Sequence, residues 1–327
     1  MGITRGIIVI EPLQPIVCYG FQVPPTLPAG HSVPILTLAI TTTMEPAQIL
    51  ELDGLVVRYG AFVAVDGLDL SLRQGELFGL LGPNGAGKSS TLRVLIGQLP
   101  PSEGHVRVAG QDIVRDWAKI KPFFGYVPDR ENHFDEFTGR RNLEIFAGLY
   151  RVPDQRIDEC LEAVELEDAA HLPVRAYSLG MRRKLLLARA LLHRPKILYL
   201  DEPSANLDIH SAALVRRLLR ELVKEGVTVL LTTHNMQEVE EVCDRVAILC
   251  KGRLVALDSP INLRQQHAER RVDVVLADGA RHVFDLDADE ERAVLARYVG
   301  AGSVTSLQSR EFNFHEAFLK LTGTEFT

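Results

Sequence analysis

The segment "GPNGAGKSS" (residues 82–90) sets Gly82, Gly85 and Gly87 ahead of Lys88, Ser89 and Ser90, with Pro83, Asn84 and Ala86 between them. Glycines at this spacing let a backbone curl until its N–H groups face phosphate oxygens, and the next helix adds its positive N-terminus. A lysine in this place neutralises β- and γ-phosphate charge, and the hydroxyl of Ser89 is suited to a magnesium shell. A second segment, "ILYLDEP" (197–203), ends an apolar run with Asp201 and Glu202. The first carboxylate can hold the metal shell. The second can orient and polarise an attacking water, a general-base role worth ~10²–10⁴-fold in rate.

Both segments need rigid elements behind them, and the pattern supplies these. "GELFGLLG" reads as an apolar strand and "GKSSTLRVLIGQL" as a helix, so the glycine loop falls between strand and helix. "KILYLDEP" and "GVTVLLTTH" read as strands buried on both faces, separated by the helix "HSAALVRRLLRELVKEG". Such strands belong to a largely parallel sheet flanked by helices. "LELDGLVVRYG", "VDGLDLSLRQG" and "GHVRVAGQDI" read as an antiparallel β subdomain, and "RVAILCKGRLVALD" as a two-strand turn. Residues 134–195 read as a helical subdomain, where Leu143, Phe146, Ala147 and Tyr150 fall on one face. After about Arg270 the hairpin "RRVDVVLADGARHVFDLD", the helix "DEERAVLARYVG", a strand near Val304 and the helix "NFHEAFLKLTG" form a small α+β appendage.

The chain has 327 residues and a net charge of −7, with a pI near 5.8. That balance argues against a nucleic-acid partner, which wants clustered Lys and Arg. Cys18, Cys160, Cys243 and Cys250 show no metal or redox spacing and read as reduced thiols. No run approaches the ~18–20 apolar residues of a bilayer span. Residues 1–47 read as a Pro-rich leader, broken by Glu11 and several prolines, or as sequence upstream of a start at Met44.

Over roughly residues 48–260 the chain resembles the nucleotide-binding subunit of an ABC transporter. The phosphate loop and the Asp-Glu pair occur in the family's order, with "YSLGMRRK" (177–184) between them resembling its signature. "SANLD" (204–208), ending in Asp208, resembles the D-loop, "TTH" (232–234) the switch-histidine segment and "CDRVAIL" (243–249) the following strand. The resemblance implies a P-loop NTPase core over 48–265, an appendage over 266–327, and ATP with Mg²⁺ as ligands. It further implies a head-to-tail dimer of ATPase subunits, homomeric or pseudo-symmetric, with two ATPs at the interface. Tyr59 would stack on adenine. Ser178, Leu179, Gly180 and Met181 would face the γ-phosphate held by the other subunit, and His234 would touch the γ-phosphate in its own. Lys88, Glu202 and His234 would carry the chemistry.

Three departures matter. The signature reads Tyr-Ser-Leu-Gly-Met, keeping Ser178 and Gly180 but losing one glycine and the glutamine. Asn206 stands where the D-loop commonly has glycine, and Asn tolerates left-handed backbone. In "FFGYVPDREN" (123–132), Asp129 stands where the family carries a glutamine near the metal. A carboxylate is a suitable oxygen ligand for Mg²⁺. Without the metal it would repel the γ-phosphate, since two unit charges ~4 Å apart cost about 4 kcal/mol at an effective dielectric near 20. Asp129 therefore either faces the metal or turns away to pair with Arg130.

The resemblance is to multidrug, antibiotic or polymer exporters, whose separate polytopic membrane subunits would hold this chain at the cytoplasmic face. Phe134 and Phe137 are candidates for that docking surface. The alternative function is an ATP-binding regulatory or soluble module with little turnover. The 88-to-178 interval is too short for the long coiled coil of a chromosome-type ATPase, and the single core differs from the paired cores of a translation-factor ATPase.

Overall fold

The computed structural model describes residues 47–267, 271–309 and 314–323. The leader, apart from Ala47, lies outside the described residues, as does Cys18. In chain order the elements begin with β1 (Gln48–Tyr59), β2 (Phe62–Arg73), β3 (Leu77–Leu81), α1 (Lys88–Leu95), β4 (Glu103–Val108), β5 (Gln111–Asp112), α2 (Trp117–Ile120) and β6 (Phe124–Val127). Three helices follow, α3 (Gly139–Tyr150), α4 (Asp154–Ala163) and α5 (Leu179–Leu191). Next come β7 (Ile197–Asp201), α6 (Ile209–Lys224), β8 (Thr228–Thr233), α7 (Met236–Val242), β9 (Arg245–Cys250), β10 (Arg253–Asp258) and α8 (Pro260–His267). The chain closes with β11 (Arg271–Leu276), β12 (Arg281–Asp285), α9 (Asp289–Gly300), β13 (Val304–Ser309) and α10 (Phe314–Thr322).

The central sheet has the order β10-β9-β3-β8-β7-β6. Five of its strands run parallel and β10 closes one edge antiparallel. Leu77–Leu81 and Thr228–Thr233 are buried throughout, as their unbroken apolar or β-branched runs require of strands covered on both faces. An antiparallel sheet, β2-β1-β4-β5, lies on one side and shares a core with β3 and α1 through Phe78, Leu80, Leu92 and Leu95. Helices α3 to α6 build the core on the opposite face around Leu185, Leu186, Val215 and Leu231. The fold is that of a P-loop NTPase, with mixed sheet, antiparallel β subdomain and helical subdomain.

Two segments depart from the sequence reading. Phe124–Val127, which the sequence reading did not assign to a strand, is the edge strand β6, paired in parallel with β7. The expected C-terminal appendage is divided. Strands β11 to β13 and α9 share a small core of Val272, Val274, Leu276, Phe284 and Leu295. Helix α10 instead buries Phe314, Ala317 and Phe318 completely and joins the main core beside Leu263 and Val239. Two phenylalanines at i and i+4 on one helical face are worth ~1.5–3 kcal/mol each when fully buried, enough to fasten a nine-residue helix. Cys160 and Cys243 are buried free thiols, and Cys250 is partly exposed.

Candidate active site

Parallel strands deliver their carboxyl ends to one edge of the sheet, and ligands of open α/β sheets bind there. The phosphate loop follows β3, Asp129 follows β6, Asp201 ends β7 and His234 follows β8. The loop closes only because Gly87, the residue before α1, takes φ 105° with its Cα against the backbone of β2. A Cβ there would lie 2.6 Å from the carbonyl oxygen of Ala64. One cavity of about 270 Å³ results, and Asn84 to Ser90, Asp129, Asp201 and Glu202 line it.

Lys88 is buried at the centre of this arrangement. Its ammonium donates to the carbonyl oxygens of Gly82 at 2.6 Å and Pro83 at 3.3 Å and stands 4.0 Å from Glu202. Burial pulls its pKa down, while Glu202 and Asp201 oppose that. Glu202 has φ 49°, a left-handed backbone costing a non-glycine residue ~1–3 kcal/mol. Its N–H donates to Thr232 O at 3.0 Å, and its carboxylate meets Nδ1 of His234 at 2.9 Å. The catalytic candidates Lys88, Glu202 and His234 thus form one contiguous chain, although His234 does not itself line the cavity.

Asp201 accepts a hydrogen bond from the Thr232 hydroxyl at 2.5 Å. Burial raises its pKa, and the charges of Asp129 and Glu202 add to the rise. Asp129 therefore faces the cavity, and among the described residues no ion pair joins it to Arg130. Ser89, Asp129 and Asp201 all line this cavity and together offer one hydroxyl and two carboxylates. That donor set fits a hard dication such as Mg²⁺. Among the described residues no three His, Cys, Asp or Glu side chains form a complete cage. Magnesium needs none, because it keeps several waters and shares phosphate oxygens.

Tyr59 occupies a different place from the remaining nucleotide-binding candidates. It is 40% exposed at the end of β1, its hydroxyl accepts from Arg93 at 3.3 Å, and it is not part of the cavity wall. Hydrogen bonding from Ser90, then from Arg93, holds its pKa below the usual tyrosine range. The aromatic lining the cavity is Phe62, 63% exposed, which the sequence reading passed over. Tyr126 was also missed; it lies near Asp201 and Asp129, and burial above all pushes its pKa up to about 12.

The signature residues open α5. Ser178 is its N-cap, accepting from the Met181 N–H at 3.2 Å, and Leu179 is 45% exposed. Gly180 is buried against the start of α6, where Asp208 caps the helix by accepting from Ser211. A Cβ on Gly180 would come 2.5 Å from Ser211 Oγ. None of Ser178 to Met181 lines the cavity of its own chain. Asn206 adopts the left-handed φ of 60°.

The loop between β6 and α3 is tied to the signature helix. Arg183 on α5 is buried and donates to Pro128 O at 2.6 Å, and Arg182 pairs with Glu131 and Asp135. His133 Nε2 meets Arg182 O at 2.9 Å, and Asn142 of α3 bonds both N–H and C=O of Phe134. Phe134 and Phe137 remain 47% and 44% exposed, their ring centroids 5.8 Å apart. No helix among the described residues is long and apolar enough to cross a membrane.

Comparison with known proteins agrees with this geometry. Residues 65–205 match the family model described as ABC transporter. The chain is 35% identical over 298 residues to a fluoroquinolones export ATP-binding protein of Mycobacterium tuberculosis, covering 89% of this chain and 99% of that protein. It is likewise 35% identical to a daunorubicin resistance ATP-binding protein of Streptomyces coeruleorubidus, over 84% of this chain and 96% of that one. Among solved structures, cbiO1 of Clostridium perfringens, part of the ABC transporter complex cbiONQ, superposes with a TM-score of 0.61 at 27% identity. The match covers 66% of this chain and 90% of that one. A dimeric ATP-binding cassette in a post-hydrolysis state superposes with a TM-score of 0.59 at 25% identity, over 64% of this chain and 98% of that one. The chain belongs to the ABC transporter family as an ATP-binding subunit and ATPase.

Proposed function

We propose that this subunit drives export by hydrolysing ATP at the interface of a head-to-tail dimer, in contact with separate membrane subunits at the cytoplasmic face. The reading is carried by one observation: Lys88, Ser89, Asp201 and Glu202 meet in a single cavity that contains no signature residue of its own chain. A second subunit would complete it with Ser178, Gly180 and the N-terminus of α5, whose N–H groups favour phosphate charge. The chain resembles drug-export subunits over nearly its whole length, which supports the outward direction.

In this mechanism Lys88 leaves the loop carbonyls for the β- and γ-phosphates. Ser89, Asp201 and Asp129 would hold Mg²⁺, which would supply positive charge to the transferring phosphoryl group. Glu202 orients and polarises the attacking water, and its bond to His234 lets the histidine report the γ-phosphate to the following helix. Phe134 and Phe137 would dock the membrane subunit beside the loop that carries Asp129.

A mixing experiment tests the shared site. Lys88→Ala and Ser178→Arg each inactivate a homodimer, but one of the two sites in a mixed dimer keeps both Lys88 and Ser178. Mixing the two purified variants recovers ATP hydrolysis if signature and phosphate loop act across the interface. No recovery, with each variant folded and dimeric, overturns that arrangement.

A further inference from the structure

Beyond the nucleotide cavity lies a second one of about 430 Å³, and Ser89, Asp129 and Asp201 line both. These three residues are a partition with a cavity on each side. The far wall carries the guanidinium groups of Arg93, from α1, and Arg130, from the loop after β6, with the Gln98 amide and the Tyr126 phenol beside them. Every one of these groups can donate hydrogen bonds, and a guanidinium presents its donors as a planar fork that matches phosphate oxygens.

The two arginines are also available. Arg140, Arg182 and Arg217 each hold a carboxylate. Among the described residues neither Arg93 nor Arg130 makes an ion pair, although Asp129 neighbours Arg130 in sequence and lines the same cavity. The bond that Arg93 makes is to the neutral Tyr59 hydroxyl. Asp129 and Asp201 line the opposite wall, so the two guanidiniums form an anion site when a cation holds those carboxylates. Its position next to the nucleotide limits which anion reaches it first.

We propose that this second cavity binds orthophosphate, the hydrolysis product, and that Arg93 and Arg130 hold it there before release. The inference rests on the hydrolysis proposed above. The water oxygen bonds to the γ-phosphorus, the bond from that phosphorus to the β–γ bridging oxygen breaks, and ADP keeps the electron pair. The water protons end on phosphate or solvent. ADP and orthophosphate are then left as neighbouring anions that repel one another. Moving the phosphate past Ser89, Asp129 and Asp201 separates the two and brings it to paired cations. Tyr126 also lines a third cavity, with Trp117, Phe146 and Tyr150.

The test is equilibrium binding of radiolabelled orthophosphate to the full chain loaded with Mg²⁺ and ADP. Arg130→Gln removes one charge-assisted contact and is expected to weaken orthophosphate ~10-fold, with Arg93→Gln/Arg130→Gln weakening it ~100-fold. Affinity for fluorescent ADP stays within about twofold in Arg130→Gln, and Arg130→Lys recovers part of the orthophosphate affinity. Unchanged orthophosphate binding in both variants overturns the proposal, and so does a parallel loss of ADP affinity in Arg130→Gln. So does a wild-type chain that binds ADP but no orthophosphate. A chain that binds orthophosphate through these arginines yet does not hydrolyse ATP would remove the hydrolysis reading and leave the site standing.

Discussion

The residues around the phosphates and the loop from Pro128 to Phe137 touch the same cavity, but they are held by different kinds of bond. Lys88, Asp201 and Thr232 are placed by β3, β7 and β8, the interior of a parallel ladder buried on both faces. The loop hangs from β6, a four-residue edge strand, and is kept in place by side chains of α5 and α3. A ladder interior moves with the whole sheet, whereas a loop held by side-chain bonds can shift by exchanging them. The first arrangement suits chemistry and the second suits transmission. Asp129 stands at the junction of the two.

The largest effect is expected on the rigid side. Glu202→Gln keeps the size of the side chain but removes the proposed base, so turnover should fall ~10²–10⁴-fold. ATP affinity, measured by fluorescent nucleotide, should change little, because Lys88 and the loop N–H groups remain. Equal turnover in both proteins would place the base elsewhere and turn the left-handed strain at Glu202 into a matter of folding alone.

On the loop side, Arg183→Ala strips the hydrogen bond from the half-buried Pro128 O. Losing such a bond costs ~0.5–1.5 kcal/mol, and the melting temperature should drop accordingly. Stimulation by the membrane subunit should fall more than the basal turnover of the isolated chain. A proportional fall in both would mean that Arg183 only supports the fold.

A smaller effect bears on the junction. Asp129→Asn keeps an oxygen donor and removes a charge that lies close to Asp201. The Mg²⁺ concentration giving half-maximal hydrolysis should rise severalfold, on the order of 1 kcal/mol in metal binding. An unchanged Mg²⁺ dependence would assign Asp129 to the loop's transmission role and remove it from the metal shell.

The rigid half was the legible half. "GPNGAGKSS" and "ILYLDEP" carry their chemistry in a local pattern, and buried parallel strands announce themselves as apolar runs, so Lys88, Ser89, Asp201 and Glu202 could be placed from residues alone. The other half depends on pairs far apart in sequence. Nothing local ties Arg183 to Pro128, 55 residues away, or Gly180 to Ser211. β6 was missed because four residues at a sheet edge, two of them aromatic, have too short a period to tell from a loop. Phe62 was passed over for Tyr59 because a hairpin turn decides which of two nearby aromatics reaches the cavity. Helix α10 was grouped with its sequence neighbours, although Phe314 and Phe318 fit the main core better than the small one.

The smallest expected effect tests the loop through pH. Burial, and the neighbouring Arg189 and Arg182 charges, push the pKa of His133 down to about 4, against the backbone bond to Arg182 and the Asp135 charge. The unfolded chain protonates near 6.5, so between pH 6.5 and 4 it binds a proton that the folded chain refuses. Stability from this group is whole above about pH 6.5 and is lost as pH falls toward 4. The wild type should therefore lose melting temperature over that window more steeply than His133→Gln, which cannot titrate. A loop held by movable side-chain bonds should show this first as local opening. Hydrogen exchange at residues 130–136 should rise on acidification while β3 and β8 stay protected. Uniform loss of protection across loop and sheet would mean that the two regions unfold as one unit, and the contrast between them would not hold.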